Sequence, residues 1–140
     1  MKTAVVYWSG TGNTEAMANA VADGMKEKGA EAVIFTASEF NSSKVPEFDA
    51  IAFGCPAMGA EVLEEDEFEP MFTEVEGALK DKKVALFGSY GWGDGEWMRS
   101  WEDRCNNAGI TLAAESLIIN EAPDEDGIEK CKALGQTLAS

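Results

Sequence analysis

Short apolar runs alternate along this chain with longer segments that carry apolar residues at helical spacing. The apolar runs are Thr3–Tyr7, Ala32–Phe35, Ala50–Gly54, Val84–Gly88, and a divided fifth run made of Ile110–Leu112 and Leu117–Ile119. Each run is too short for an ordinary helix, and most are rich in Val, Ile or Phe, which is typical of strands buried on both faces of a parallel sheet. The alternation therefore predicts an α/β fold with helices covering both faces of the sheet.

The segments between and after the runs predict four helices. Their apolar faces are Met17, Val21 and Met25 in the first, Phe72, Val75 and Leu79 in the second, Trp97, Trp101 and Cys105 in the third, and Ile128, Cys131, Leu134 and Leu138 in the last. Pro70 suits the first turn of the second helix. Residues 36–49 show little periodicity and predict a loop with at most a short helix. The stretch Ala113–Ser116 interrupts the fifth run and predicts a split strand.

Composition excludes several classes of function. The chain has 140 residues with 26 acidic and 11 basic side chains, a net charge of −15 and no histidine. Its length fits one domain over residues 1–140, and its charge disfavours nucleic-acid and membrane-surface partners. Without histidine, catalysis by imidazole and histidine-ligated metal sites are excluded. The three cysteines cannot supply a four-thiolate iron–sulfur cluster, and their sparse use without a leader segment favours a reducing cytosol in which they pack in the core.

A loop of small and hydroxylated residues follows the first predicted strand and opens the first helix. Its residues are Ser9, Gly10, Thr11, Gly12, Asn13 and Thr14. Backbone N–H groups, the helix N-terminus and neutral side-chain donors in such a loop suit a phosphate. The loop lacks the Gly-Lys-Ser/Thr ending of nucleotide triphosphate sites and the third glycine of dinucleotide sites, so it fits a single terminal phosphate better. An ordinary capped strand-to-helix turn is the alternative.

Two further strands end in glycine-rich loops, and in a parallel sheet all three loops meet at one edge. The second loop spans residues 54–61 and the third spans residues 88–95. They bring Met58, Tyr90 and Trp92 to that edge. Trp92 lies among glycines that offer little to bury it, so we expect it to stack on a planar aromatic ligand rather than fold into the core.

These three loops resemble those of the short-chain flavodoxins, especially the clostridial type. The segments that carry the resemblance are Trp8–Thr14, Cys55–Glu61 and Ser89–Gly95, and the similarity runs the length of the chain. The resemblance implies a flavodoxin-like three-layer α/β/α sandwich with a five-stranded parallel sheet of order 2-1-3-4-5. It also implies non-covalent FMN as the cofactor and a low-potential one-electron carrier that can replace ferredoxin and shuttles mainly between semiquinone and hydroquinone.

The resemblance assigns roles to the residues of the three loops. Ser9 to Thr14 hold the phosphate, Met58 and Trp92 flank the isoalloxazine ring, and Tyr90 with Gly91 completes the second wall. Glu61 accepts a hydrogen bond from flavin N3, and Gly59 is the residue whose peptide flips on reduction. The remaining predicted cofactor contacts are Pro56, Ala57 and Ser89. Pro56 and Ala60 depart from some relatives, and a type II turn after the flip would require Ala60 to adopt positive φ.

A cluster of carboxylates lies beside the expected ring position, with no basic residue among them. Its members are Glu61, Glu64, Glu65, Asp66, Glu67 and Glu69. We expect this cluster to lower the potential of the second reduction and to attract redox partner proteins with basic docking surfaces, with the protein itself a monomer. The alternative function is a small FMN-dependent quinone or azo reductase of the same fold, although the chain has no insertion to build a substrate pocket. Solvation of an acidic surface is the simpler explanation of the cluster.

Overall fold

Five strands form one fully parallel sheet. The computed structural model describes residues 1–140, and its strands are β1 (Lys2–Tyr7), β2 (Glu31–Thr36), β3 (Ala50–Gly54), β4 (Lys83–Tyr90) and β5 (Leu117–Asn120). Their order in the sheet is β2-β1-β3-β4-β5. The predicted fold class and strand order are therefore confirmed. The fifth strand is split as expected, since Leu112 forms only an isolated bridge with Val84 before β5 begins at Leu117.

Four helices cover the two faces of this sheet. They are α1 (Asn13–Glu27), α2 (Phe68–Val75), α3 (Glu96–Asn107) and α4 (Glu125–Leu138). Residues 36–49 contain only two short 3-10 turns, as their weak periodicity predicts. The second helix is shorter than expected because it passes into a 3-10 turn over Glu76–Ala78, and Leu79 enters the core from beyond that turn. No helix is long and apolar enough to cross a membrane.

Successive side chains of the central strands point to opposite faces of the sheet and pack into two separate apolar layers. On one face Val5, Ala52 and Phe87 pack with apolar residues of α1 and α4. On the other face Val6, Phe53 and Leu86 pack with α2 and α3, whose buried aromatic residues are Phe68, Phe72, Trp97 and Trp101. Because side chains alternate along a strand, this division follows from the period of two in the sequence. All three cysteines are free and buried in these layers, which confirms the packing interpretation.

Helices α1 and α4 approach each other closely through two glycines. A Cβ on Gly24 would collide with the carbonyl oxygen of Lys132, and one on Gly135 would collide with the carbonyl oxygen of Val21. Only a residue without a side chain permits this backbone contact. The contact anchors α1, whose N-terminus opens at the edge of the sheet where the three glycine-rich loops lie.

Candidate functional site

The loops after β1, β3 and β4 meet at the carboxyl edge of the sheet. Tyr7 at the end of β1 pairs with Gly54 at the end of β3, and Gly54 pairs with Phe87 of β4, so the three loops leave the sheet side by side. The chain order reverses between β1 and β3, which is where ligands bind in open α/β sheets. A cavity of about 330 Å³ lies among the loops. Its lining residues are Trp8, Gly10, Thr11, Asn13, Pro56, Ala57, Met58, Ser89, Tyr90, Gly91 and Glu121.

Most of the residues predicted from the sequence are among those that line the cavity. Those that lie in the same loops but outside its walls are Ser9, Gly12, Thr14, Gly59, Ala60, Glu61 and Trp92. The sequence analysis missed Glu121 as a cavity residue and gave Trp8 no role. Glu121 directly follows β5, so its place at the carboxyl end of a strand was the signal that could have identified it.

The start of α1 has the geometry of an anion site. Gly12 adopts a left-handed conformation with φ of 96° immediately before the helix, and no side chain caps the helix N-terminus. The Gly12 N–H donates to Ser9 Oγ at 3.0 Å, which folds the loop back on itself. The Thr14 hydroxyl is buried and has no hydrogen-bond partner in the protein. An unpaired buried donor beside the positive end of a helix fits a phosphate group.

The second loop contains a tight turn over residues 58–62. The Glu61 N–H donates to the Met58 carbonyl at 2.8 Å, and the Met58 N–H donates to the Val62 carbonyl at 3.0 Å. Glu61 has φ of 56°, whereas Ala60 does not have positive φ. This pattern is that of a type I turn followed by a left-handed residue. In this structure the turn is therefore not type II, and the conformation that is costly for an L-residue falls on Glu61 rather than on Ala60.

The Glu61 side chain joins the second loop to helix α3. Its Oε2 accepts a hydrogen bond from the Trp97 N–H at 2.9 Å, in the first turn of α3. The residue before that helix, Gly95, is in the left-handed region and supplies no side-chain cap, so Glu61 takes that role from another loop. A Cβ on Gly93 would collide with Glu61 Oε1. Glycine at position 93 is thus required for the carboxylate to reach the helix.

The two aromatic residues of the third loop have different environments. Trp92 is 66% exposed, which agrees with its expected position outside the core. Tyr90 is half-buried, and its ring centroid lies 5.7 Å from that of Trp97. The Tyr90 carbonyl accepts from the Glu121 N–H at 2.7 Å, so the end of β5 supports the third loop.

The acidic segment is less free than its sequence suggests. Arg104 of α3 forms ion pairs with Glu69 at 2.7 Å and with Glu76 at 3.0 Å, so a basic residue distant in sequence does reach the cluster. Glu67 accepts from the Trp8 indole N–H at 3.0 Å. Only the exposed residues Glu65 and Asp66 have no hydrogen bond or ion pair through their side chains. The segment itself contains no basic residue, and the partner of Glu69 comes from α3.

Glu64 is the buried member of that segment. Its side chain accepts hydrogen bonds from three backbone N–H groups at the start of α2, those of Asp66, Glu67 and Phe68. Desolvation by burial acts to raise the pKa of Glu64, but the three donors outweigh it, and the pKa lies below its ordinary value. The carboxylate is therefore charged at neutral pH although the residue is only 5% exposed.

Comparison with known proteins agrees with this architecture. The flavodoxin of Megasphaera elsdenii is 48% identical over 135 residues, covering 96% of each chain. The flavodoxin of Clostridium beijerinckii is 46% identical over 136 residues, covering 97% of this chain and 98% of that protein. The solution structure of two-electron reduced Megasphaera elsdenii flavodoxin superimposes with a TM-score of 0.89 and 47% identity, covering 98% of both chains. Residues 5–135 match the Flavodoxin family profile, and we conclude that the chain belongs to the flavodoxin family.

Proposed function

We propose that the chain is a single-domain, low-potential electron carrier that binds one FMN at the carboxyl edge of its sheet. Flavodoxins are electron-transfer proteins that bind FMN, and this chain belongs to that family over nearly its whole length. The carrier function is therefore favoured over the quinone or azo reductase alternative. When bound, FMN supplies the chemistry for accepting and releasing electrons one at a time.

The buried Thr14 hydroxyl is the observation that carries the proposed placement of the cofactor. It has no partner within the protein, and it lies at the uncapped N-terminus of α1. A phosphate there would accept a hydrogen bond from this hydroxyl and from backbone N–H groups of residues 10–14. No lysine or arginine occurs in this loop, so the affinity would come from neutral donors and the helix dipole.

The second and third loops would hold the ring of the cofactor. Met58 and Tyr90 both line the cavity, and the exposed Trp92 follows Tyr90 in the third loop. A thioether and an indole are suited to the two faces of a planar aromatic ring. Glu61 Oε2 already accepts the Trp97 N–H, and a carboxylate has additional acceptor positions, so it can accept a further N–H from a ring as well.

Negative charge around the cavity would lower the reduction potential. Glu61, Glu65 and Asp66 carry carboxylates in or near the second loop, and none of the three forms an ion pair. A carboxylate about 10 Å from the ring, in an effective dielectric of about 40, opposes each added negative charge by about 0.8 kcal/mol. These carboxylates would therefore oppose most strongly a reduction that leaves a bound ring more negatively charged.

The partners that this surface suits are redox proteins with basic docking surfaces. Trp92 and Val62, exposed by 66% and 39%, lie within the acidic carboxyl edge. Most lysines lie at the opposite edge of the sheet or near it: Lys2, Lys26, Lys28, Lys80, Lys82 and Lys83. This asymmetry would orient a monomer with its flavin edge toward a positively charged partner, and the association rate would fall with salt.

Titration of the apoprotein with FMN and with riboflavin tests the placement of the cofactor. The two ligands share the ring and the ribityl chain and differ only in the phosphate. We expect FMN to bind at least about 100-fold more tightly, because the phosphate gains charge-assisted hydrogen bonds worth about 1.5–3 kcal/mol each. Equal affinities, measured by quenching of flavin fluorescence, would contradict a phosphate site at residues 9–14.

Anaerobic reductive titration of the reconstituted protein separates the carrier from the reductase alternative. Two resolved one-electron steps, followed by optical absorption, are expected of the carrier. A single two-electron step, together with reoxidation by quinones faster than by protein electron acceptors, would favour the reductase.

A further inference from the structure

Residues 55–64 form a loop whose two ends are held together. The Glu64 N–H donates to Cys55 Sγ at 3.4 Å, so the residue that follows β3 contacts the residue that leads into α2. Cys55 is itself fixed on two other sides. Its N–H donates to the Phe87 carbonyl at 3.1 Å, and its carbonyl accepts from the Trp97 indole at 3.1 Å. The base of the second flavin loop is therefore attached to β4, α3 and Glu64 at once.

The tip of the same loop is open. Gly59 and Ala60 are exposed, and a Cβ placed on Gly59 meets no atom within 4 Å. Between tip and base, two backbone hydrogen bonds join Met58 to Glu61 and to Val62. The Ala57 N–H also donates to the Ser89 carbonyl at 3.0 Å, and Glu61 Oε2 accepts the Trp97 N–H. A backbone rearrangement at the tip is sterically free, whereas one at the base would break buried contacts.

Glu64 secures the α2 side of the base. Its Oε1 accepts from the N–H groups of Glu67 and Phe68, both at 2.8 Å, and its Oε2 accepts from the Asp66 N–H at 2.7 Å. Its own carbonyl accepts from the Glu69 N–H at 2.9 Å. These groups all belong to the start of α2, which is otherwise without a side-chain cap. The buried carboxylate thus attaches the end of the flavin loop to the helix.

We propose that Glu64 is a positioning residue for the flavin turn, holding the base of residues 55–64 so that backbone movement is confined to the tip. This inference rests on the proposed function, because it concerns the turn that would face the FMN ring. Glu64 does not line the cavity, and it acts through the backbone of the loop. Confinement would keep the carbonyls of the turn in defined orientations toward a bound ring. If those carbonyls contact the ring, loosening the base would alter the two reduction potentials unequally.

Glu64→Gln in the FMN-loaded protein tests this role, with Glu65→Gln as its matched control. Both variants remove one carboxylate from adjacent positions, but Glu65 is exposed and makes no side-chain contact. In wild type, both oxygens of the Glu64 carboxylate accept hydrogen bonds from backbone N–H groups. In Glu64→Gln an NH₂ group, which cannot accept a hydrogen bond, replaces one of these oxygens, so at least one of the three contacts is lost.

We expect Glu65→Gln to shift both potentials in the same direction and to leave FMN affinity within about twofold of wild type. Both variants lose one carboxylate, which by itself narrows the gap between the two potentials. Glu64→Gln should narrow this gap more than Glu65→Gln does, and it should accelerate amide exchange at residues 58–62. It should weaken FMN binding by more than the twofold limit of the control, because a less firmly held loop must be ordered when the ligand binds. Equal gaps and equal exchange in the two variants would overturn the proposal.

The same experiment distinguishes failure of this inference from failure of the proposed function. If wild type binds no FMN, the proposed function fails. If wild type binds FMN and is reduced in two steps, but Glu64→Gln gives the same gap and the same amide exchange as Glu65→Gln, only the positioning role fails. If Glu64→Gln does not fold, Glu64→Asp provides the comparison, since it keeps the charge and shortens its reach. A gap like that of wild type in Glu64→Asp, with unchanged exchange at residues 58–62, would also contradict the proposal.

Discussion

The N-termini of α1 and α3 lie at the same edge of the sheet and are completed in opposite ways. Both helices begin after a left-handed glycine, Gly12 or Gly95, and neither has a side-chain cap of its own. At α3 the carboxylate of Glu61 arrives from another loop and accepts the Trp97 N–H. At α1 no carboxylate arrives, and the Thr14 hydroxyl is left buried without a partner.

The difference supports the proposal that the protein fills the anion position at α3 with its own carboxylate and leaves the position at α1 to a ligand. A helix N-terminus favours a negative group, and burying a donor without a partner is costly. At α2 and α3 a carboxylate of the protein itself occupies the helix N-terminus. Glu64 accepts the Phe68 N–H at the start of α2, and Glu61 accepts the Trp97 N–H at the start of α3. The α1 site then stands out as the one prepared for a phosphate, and each of its features can be altered separately.

Thr11→Asp makes the start of α1 resemble that of α3 and has the largest expected effect. The new carboxylate lies in the loop proposed to hold the phosphate, where Thr11 Oγ1 accepts the Asn13 N–H. Repulsion between this charge and a phosphate dianion about 5 Å away costs about 3 kcal/mol at an effective dielectric near 40. FMN affinity should fall more than about 100-fold. Thr11→Asn introduces an uncharged side chain of the same shape as aspartate, and it should reduce FMN affinity far less. Equal reductions of FMN affinity in fluorescence titrations of the two variants would contradict an electrostatic origin of the effect.

Gly93→Ala disturbs the filled site at α3. The added methyl group collides with Glu61 Oε1, and position 93 has φ of 88°. Backbone strain of about 1–2 kcal/mol and loss of the helix cap together should lower the free energy of unfolding by about 2–3 kcal/mol.

Gly91→Ala is the matched control, because a Cβ there meets nothing and no positive φ is involved. It should stay within about 0.5 kcal/mol of wild type in urea unfolding. In a protein that already carries Glu61→Ala, Gly93→Ala should lower the free energy of unfolding only by the amount of its backbone strain. A cost that is the same in both backgrounds would show that the collision is not responsible.

Thr14→Val tests the open site without adding charge. Removal of the hydroxyl should weaken FMN binding by about 2 kcal/mol, or roughly 30-fold, because a hydrogen bond to a charged group is lost. The apoprotein should be as stable as wild type or more so, because the buried donor has no partner to lose. Thr111→Val, at an exposed position away from the site, should change neither quantity. A loss of apoprotein stability equal to the loss of binding would indicate a purely structural role for Thr14.

The free energy of unfolding at acidic pH should depend on Glu64, whose carboxylate accepts the N–H groups at the start of α2. Hydrogen bonds from α2 hold the pKa of Glu64 below its ordinary value of 4.5. The stabilisation is therefore present above pH 4.5 and is lost as pH falls through the lowered pKa of the folded state. We expect apo wild type to exceed apo Glu64→Gln by about 1–2 kcal/mol at pH 7 and by less at pH 3, in urea unfolding. A difference that is independent of pH would contradict charge as its origin.

Gly59→Ala should have the smallest effect on stability and still alter the redox properties. The tip has room for a methyl group and no positive φ at this position, so the free energy of unfolding should change by less than about 0.5 kcal/mol. If the tip must rearrange on reduction, the gap between the two potentials should narrow because alanine resists the conformations open to glycine. If a potentiometric titration shows the same gap between the two reduction potentials as in wild type, peptide rearrangement at Gly59 does not contribute to them.

The fold was largely predictable from the sequence, because periodicity is a local signal. The runs Thr3–Tyr7 and Ala50–Gly54 correspond to β1 and β3 within one residue. The loop after the first run was predicted to lie between a strand and a helix, and it does lie between β1 and α1, whereas its phosphate site stays a prediction. The shortening of α2 was not predicted, since the sequence pattern alone did not show where the α-helix changes to a 3-10 turn.

The site was harder to predict wherever a residue is partnered from far along the chain. Arg104 lies 35 positions from Glu69, and Glu61 lies 36 positions from the Trp97 N–H that it accepts. Nothing in the local sequence distinguishes these two carboxylates from Glu65, which has no partner. The left-handed conformation of Glu61 was likewise unpredicted, because it depends on the register of the turn that closes on Val62.

The glycine contact between α1 and α4 gives the molecule a stationary side and a movable one. Gly24 and Gly135 let two helical backbones touch directly, leaving no side chain between them that could change rotamer. The helix that presents Thr14 is consequently held against α4 in its second half, while the tip around Gly59 has open space. If the phosphate binds at α1 as proposed, it would be held by a rigid part of the protein, and backbone rearrangement would be limited to the tip around Gly59. A bulky residue at position 24 would then weaken the binding of a ligand that it does not contact.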